Sequence, residues 1–149
     1  MLFTLDGKQI NRVPDNATFN EIIQLLGEHR AEGVRHAVNQ ILDDMPPDTK
    51  NGRRTFSTAQ VGEALKPWPY PLASLYDVAL DIEGKDTTGR QVHDRSLRIF
   101  ELFVRECIMA REERWVIDDQ NVGPSDPNRP IAETVYVEQG PDETSTRQP

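Results

Sequence analysis

The sequence predicts a mainly α-helical protein, a bundle of four to five helices with an N-terminal β-hairpin and an extended C-terminal tail carrying one short strand. Three observations predict this class. Apolar residues recur at helical spacing through much of the first 119 residues, Asp6-Gly7 separates two strand-like runs, and the composition turns polar and proline-containing afterwards. We therefore expect a helical domain over residues 1–119 and an extended or disordered tail over residues 120–149.

The composition narrows the classes of function. A chain of 149 residues has the length of one domain, and its 17 Lys and Arg against 25 Asp and Glu give a net charge of -8 without a basic block. This balance disfavours binding to nucleic acid, which depends on clustered cations. Apolar runs are too short to span a membrane, and one cysteine cannot form an intramolecular disulfide, so we expect a cytoplasmic protein without a membrane partner.

The predicted hairpin joins residues 2–5 to residues 8–13. Asp-Gly favours a type I′ turn, because that turn needs positive φ at both central positions. Thr18 and Glu21 then form the pattern of a capping box, which predicts a helix start at Thr18. Gly27 and Gly33 interrupt the apolar pattern that follows, so this segment is predicted as one kinked helix or two, ending at Met45-Pro46-Pro47.

Two further helices are predicted around a proline-rich connection. Ser57 and Gln60 form a second capping-box pattern, which opens a short helix that ends near Leu65. Alternate prolines favour an extended backbone over residues 67–71, and Pro71 is suited to the first position of the next helix, which ends at Gly84. The apolar residues of that helix are predicted to be buried: Leu72, Leu75, Tyr76, Ala79 and Leu80.

The longest helical pattern runs from about Gly89 to Trp115 and predicts the central helix of the bundle. Its polar residues form one narrow stripe, and two pairs in that stripe have the favourable i,i+4 order: Asp94 with Arg98, and Glu101 with Arg105. The remaining positions are mostly apolar, as expected for a helix covered by its neighbours. Cys107 lies on that apolar side and is predicted to pack there as an unreactive thiol.

The sequence gives only weak evidence for a metal site. His29, Glu32 and His36 stand at i, i+3 and i+7, so a helix would present all three on one face, but a further ligand from another helix would be needed. His93-Asp94 resembles the pair of HD-type metal-dependent phosphohydrolases, although the intervals to the other histidines and acids differ from that family. Metal-dependent hydrolysis is therefore a minor alternative, and we expect neither a metal nor another cofactor.

A second alternative is a helix-turn-helix regulator or accessory factor that binds DNA. The short helix after Ser57 and the helix after Pro71 have the required order, and the basic and hydroxyl residues at the start could contact phosphates: Arg53, Arg54, Ser57 and Thr58. The stiff connection between the helices and the acidic side chains of the second helix count against this interpretation.

The preferred hypothesis is a non-enzymatic interaction or assembly subunit that binds a protein partner or a second copy of itself. Trp68 and Tyr70 lie between prolines and form a rigid aromatic segment suited to a partner groove. The tail holds a β-favouring run over residues 131–137, which must pair either with the hairpin of its own chain or with a sheet on a partner. We prefer the second alternative, in which the protein docks its partner through this C-terminal tail. The candidate docking residues in that run are Ile131, Val135, Tyr136 and Val137.

Overall fold

The computed structural model describes residues 1–13, 16–47, 52–64, 69–84, 88–118 and 134–139. Within these residues the five helices are α1 (Asn16–Leu26), α2 (Glu28–Asp44), α3 (Thr58–Ala64), α4 (Pro69–Glu83) and α5 (Gly89–Met109). The five strands are β1 (Leu2–Phe3), β2 (Gln9–Ile10), β3 (Thr55–Ser57), β4 (Arg114–Asp118) and β5 (Val135–Gln139). No helix of this described part combines the length and the apolar character needed to cross a lipid bilayer.

The prediction of a mainly α-helical bundle is wrong, because the five strands form one mixed sheet in the order β2-β1-β4-β5-β3. β1 pairs with β4 in parallel, and the other neighbours are antiparallel. The fold is therefore an α/β mixture. Strands of two to five residues are too short to show alternation in the sequence. Their partners also lie far along the chain, so local patterns cannot reveal the sheet.

The N-terminal hairpin is confirmed, with Leu2 opposite Ile10 and Phe3 opposite Gln9. Its loop has three residues, one more than the predicted two-residue turn. The Thr4 amide donates to the Lys8 carbonyl at 2.9 Å, and the Gly7 amide donates to the Thr4 carbonyl at 3.0 Å. Gly7 has a φ of 91°, so the glycine occupies the left-handed position that closes a three-residue loop.

The interrupted helical segment is two helices that meet at Gly27, whose φ of 81° ends the helical backbone. The predicted start at Thr18 is wrong, because α1 already begins at Asn16. Arg30 covers the end of α1 by donating to the carbonyls of Leu25 and Leu26 at 3.1 and 2.6 Å. α2 ends at Asp44, directly before the predicted stop.

Capping boxes begin α3 and α5. The predicted box at Ser57 is confirmed: the Gln60 amide donates to the Ser57 hydroxyl at 3.3 Å, and the Ser57 amide donates to the Gln60 side chain at 2.8 Å. Thr88 and Gln91 form a second box before α5 that the sequence analysis missed. α5 ends at Met109, and Trp115 belongs to β4 rather than to the helix as predicted.

The core surrounds α5, which contacts all four other helices and β1. Its predicted apolar side is confirmed, since these residues are buried: Val92, Ile99, Phe100, Phe103, Val104 and Cys107. Phe103 meets Phe19 of α1 edge-on, with ring centroids 5.0 Å apart. On the sheet, the Phe56 ring packs against Trp115 and Tyr136 at 5.2 and 5.5 Å, which joins β3, β4 and β5 through their side chains.

Part of the predicted tail belongs to this sheet. Val135–Gln139 lies between β4 and β3, so each of its edges is paired within the same chain. The strand does not adjoin the N-terminal hairpin, the neighbour considered for pairing within the chain. It completes the sheet because a strand with a partner on each side satisfies its backbone groups in both directions.

Candidate interaction surface

The solvent side of α4 carries an apolar stripe. The inner side of the helix is buried against α5, α1 and α2 through Leu75, Val78 and Ala79. Ala73, Tyr76 and Leu80 are exposed, and their i, i+3, i+7 spacing aligns them along one face. Tyr76 is 39% and Leu80 45% exposed. We call these three residues the α4 stripe.

The predicted burial of Tyr76 and Leu80 is therefore wrong. At about 100° per residue, Leu80 lies about 140° around the helix from Leu75. The side of the helix that buries Leu75 therefore cannot also bury Leu80. The signal for an outer apolar face was thus present in the sequence. It was missed because all apolar residues of this helix were assigned to one buried side.

Acidic side chains border the α4 stripe. Asp77 and Asp81 are exposed and stand one turn apart, each directly after a stripe residue. The sequence of α4 contains no Lys, Arg or His. The exposed face of this helix is consequently apolar along its middle and negative along one border.

The predicted aromatic segment leads into this helix. Trp68 and the side chain of Tyr70 lie outside the described residues. The backbone of Tyr70 is helical, because α4 begins at Pro69, two residues before the predicted start. The predicted extended connection is thus wrong over residues 69–71, which belong to α4.

Three of the four tail residues proposed for docking lie within the sheet. Tyr136 is fully buried, and Arg105 donates to its hydroxyl at 3.2 Å. Burial raises the pKa of this hydroxyl, although Arg105 opposes the shift. Val135 and Val137 are partly buried, with backbones paired to β3 and β4, and Ile131 lies outside the described residues. The structure therefore places β5 as a part of the protein's own fold.

The predicted DNA contacts do not share one exposed surface. Arg54 donates to the Leu42 carbonyl at 2.9 Å and forms ion pairs with Glu138 at 2.5 Å and with Glu113 at 3.1 Å. Its guanidinium also lies over the Trp115 ring, 5.2 Å from the centroid. Two carboxylates thus balance the charge of Arg54.

The other predicted DNA contacts are also held in the fold. Thr58 is fully buried, and Ser57 is used in the cap of α3. Arg53 is partly buried. Contact between these residues and phosphate stays a prediction.

The predicted metal ligands lie on the outer face of α2. His29, Glu32 and His36 are exposed, and Glu32 pairs with Arg35 at 2.5 Å. Among the described residues no group of three or more His, Cys, Asp or Glu side chains is arranged to hold a metal ion. The side chains of His93 and Asp94 lie outside the described residues.

Cys107 packs as predicted. It is 3% exposed, and its thiol lies 3.9 Å from the Arg35 carbonyl on α2. Burial raises the pKa of the thiol to about 12. The protonated thiol is the prevailing form at neutral pH, which makes Cys107 a packing residue and a poor nucleophile.

The chain was compared with protein-family models, with curated proteins and with solved structures, and none of the three comparisons found a match.

Proposed function

We propose that this protein is a non-enzymatic, cytoplasmic protein–protein interaction subunit and that it docks its partner through the α4 stripe. One observation carries this proposal: α4 is apolar on the side that packs against the core and again on the side that faces solvent. A helix with two apolar faces is typical of one that packs against two neighbours. The docking element differs from the tail strand predicted from the sequence, because β5 already has a partner on each side.

The occupant that fits this surface is an amphipathic helix with basic flanks. The i, i+3, i+7 spacing of the α4 stripe matches the spacing by which one helix receives the apolar seam of another. Asp77 and Asp81 lie where the flanks of that seam would pass. Lys or Arg at those flanks would be attracted, and electrostatic complementarity of this kind selects partners.

A second copy of the chain fits less well. Two α4 stripes packed together would bring the Asp77 and Asp81 side chains of both copies into one contact without a basic residue from either helix. Like charges in an interface oppose association. The net charge of -8 adds a repulsion between whole molecules.

The expected affinity is modest. Full burial of a large apolar side chain stabilises by about 1.5 to 3 kcal/mol, and Tyr76 and Leu80 are each already more than half buried. The loss of free motion on association opposes this gain. We therefore expect a reversible complex in the micromolar range.

The test uses two designed helical peptides with the same Leu seam, one flanked by Lys and the other by Glu. Fluorescence anisotropy should show that the full chain binds the Lys-flanked peptide in preference. Leu80→Asp should weaken this binding about tenfold or more, because it places a charge in the seam. Gln40→Asp adds the same charge on the exposed face of α2 and should leave the affinity within about twofold.

Three outcomes would contradict the proposal. The first is equal binding of both peptides, and the second is an equal effect of Leu80→Asp and Gln40→Asp. The third is a dimer in sedimentation velocity that Leu80→Asp dissociates, since this would make a second copy the occupant of the α4 stripe.

A further inference from the structure

The sheet of the described residues has two edges, one at β3 and one at β2. At β3, the Ser57 amide donates to the Gln60 side chain at 2.8 Å, and α3 begins at the next residue, Thr58. The last amide of this strand and the path of the chain after it thus belong to the helix. The edge at β3 therefore offers little free backbone to another strand.

The edge at β2 has free backbone groups on its outer side. β2 is antiparallel to β1, and the Thr4 amide donates to the Lys8 carbonyl at 2.9 Å. The direction of the backbone groups alternates along such a strand, so Gln9 directs its amide and its carbonyl away from β1. Gln9 and Asn11 are exposed, and within the described part of the chain no hydrogen bond occupies this outer side. Unpaired strand backbone of this kind is a template for an added strand.

Two exposed cations flank the outer side of β2, Lys8 directly before the strand and Arg12 two residues after it. Asp6 is the sole acid of the described hairpin residues, and it attracts Lys8. Arg12 has no ion pair within the described residues, and the next acid along the chain, Asp15, lies outside them. The described hairpin thus holds two cations against one acid, in a chain whose net charge is -8.

A second copy of the chain does not suit this edge. Two β2 strands paired antiparallel, with Ile10 opposite Ile10, would place Lys8 of each copy opposite Arg12 of the other. Like charges directly opposite each other destabilise a pair of strands, and charged side chains at an edge are a common protection against self-association. The same two cations attract a strand that carries acids at the matching positions, four residues apart.

We propose that the outer side of β2 binds an extended acidic segment of a partner protein, which adds to the five-stranded sheet as a further, antiparallel strand. The backbone of Gln9 and Asn11 holds the added strand, and Lys8 and Arg12 select its acidic side chains. This surface belongs to the hairpin and not to α4, so failure of the proposal for the α4 stripe would leave it unaffected.

The probes are two capped peptides with the same neutral dye, Thr-Glu-Thr-Val-Thr-Glu-Thr and the same sequence with Lys in place of Glu. Fluorescence anisotropy with the full chain at low ionic strength should show that the Glu peptide binds at least about fivefold more tightly. The net charge of -8 acts in the opposite direction, because it attracts the Lys peptide to the molecule as a whole. A preference for the Glu peptide therefore reports on the hairpin.

N-methylation of the Glu peptide tests the backbone contacts without a change in the protein. With the valine opposite Ile10, the two threonines beside the valine direct their amides to Gln9 and Asn11. Methyl groups on these two amides should weaken binding about tenfold or more, because each removes a hydrogen bond to β2. Methyl groups on the amides of the two glutamates, which point away from β2, should weaken binding less than about threefold.

Two variants of the chain test the charges. Arg12→Glu should weaken binding of the Glu peptide about fivefold, since a pair of opposite charges becomes a pair of like charges. Arg90→Glu makes the same change at an exposed position of α5 and should alter the affinity less than about twofold. Unchanged melting temperatures would show that both variants are folded.

Four results would overturn the proposal: no binding of the Glu peptide to the folded protein, equal or tighter binding of the Lys peptide, equal losses from the two kinds of N-methylation, or equal losses for Arg12→Glu and Arg90→Glu. Equal losses for the two variants would mean that the peptide responds to the overall charge of the chain and not to the edge of β2.

Discussion

The outer faces of α2 and α4 differ, although both helices bury an apolar inner face. α2 buries Val34 and Val38 and presents polar side chains such as Glu32 and His36 to solvent. α4 buries its inner side in the same way but presents Tyr76 and Leu80. Contact with the core explains why the inner faces of both helices are apolar, and contact with solvent explains why the outer face of α2 is polar. The apolar outer face of α4 has neither explanation, and this difference is the basis of the proposal that a partner covers it.

The largest expected effect comes from removal of β5, the strand that lies between β4 and β3 in the sheet. A chain that ends at Gln120 lacks β5, and with it Tyr136, which is fully buried between β4 and β3. We expect this chain to lose its cooperative thermal transition in circular dichroism, because the sheet loses a strand paired on both edges. A cooperative transition within a few degrees of the full chain would instead show that the fold does not need β5, and the strand would again be a candidate for docking a partner.

The next prediction compares the two sides of α4 by one chemical change. Leu75→Ala should lower the free energy of unfolding by about 2 to 5 kcal/mol, because Leu75 is fully buried and its removal leaves a cavity. Leu80→Ala should cost less than about 1 kcal/mol, since nearly half of Leu80 is exposed. Urea denaturation measures both. Similar losses would show that the α4 stripe belongs to the core and that the contrast with α2 is false.

A smaller effect concerns the interface between α2 and α5. Burial raises the pKa of the Cys107 thiol from an ordinary 9.0 to about 12, so above pH 9 the unfolded thiol loses its proton while the folded one keeps it. The folded state then binds more protons, and stability falls as the pH rises through 9. We expect a contribution of about 1 kcal/mol between pH 8 and pH 10.

Cys107→Ala isolates this contribution, because the variant lacks the thiol and keeps the other titrating groups. Its loss of stability between the two pH values should be smaller than that of the unchanged chain. An equal loss in both proteins would mean that the thiol is more accessible than its place between α2 and α5 implies.

The sequence predicted those elements whose causes are local. The Asp6-Gly7 hairpin, the helix break at Gly27 and the capping box at Ser57 each depend on residues within a few positions of one another, and all three are present. The buried side of α5 was predictable because a helix of 21 residues repeats its pattern several times.

The sheet could not be predicted in the same way. Trp115, Val116 and Ile117 are three consecutive apolar residues without a period, and the helical pattern that precedes them predicts a helix that runs on to Trp115. Phe56 stands alone between polar neighbours, and its aromatic partners come from β4 and β5. Both segments become strands because distant parts of the chain pair with them. The α4 stripe differs, because its signal is local: Leu80 lies about 140° around the helix from Leu75, and the prediction assigned both residues to one buried side.

The most direct test of the α4 stripe is a reversal of the charges that border it. Asp77→Lys with Asp81→Lys leaves Tyr76 and Leu80 in place and changes the border from negative to positive. Binding of the two Leu-seam peptides is then measured again by anisotropy at matched ionic strength. We predict that the preference inverts, so that the Glu-flanked peptide binds more tightly than the Lys-flanked one. A preference for the Lys-flanked peptide that persists in this variant would contradict the account, because the attraction would then come from the net charge of the whole chain and not from the face of α4.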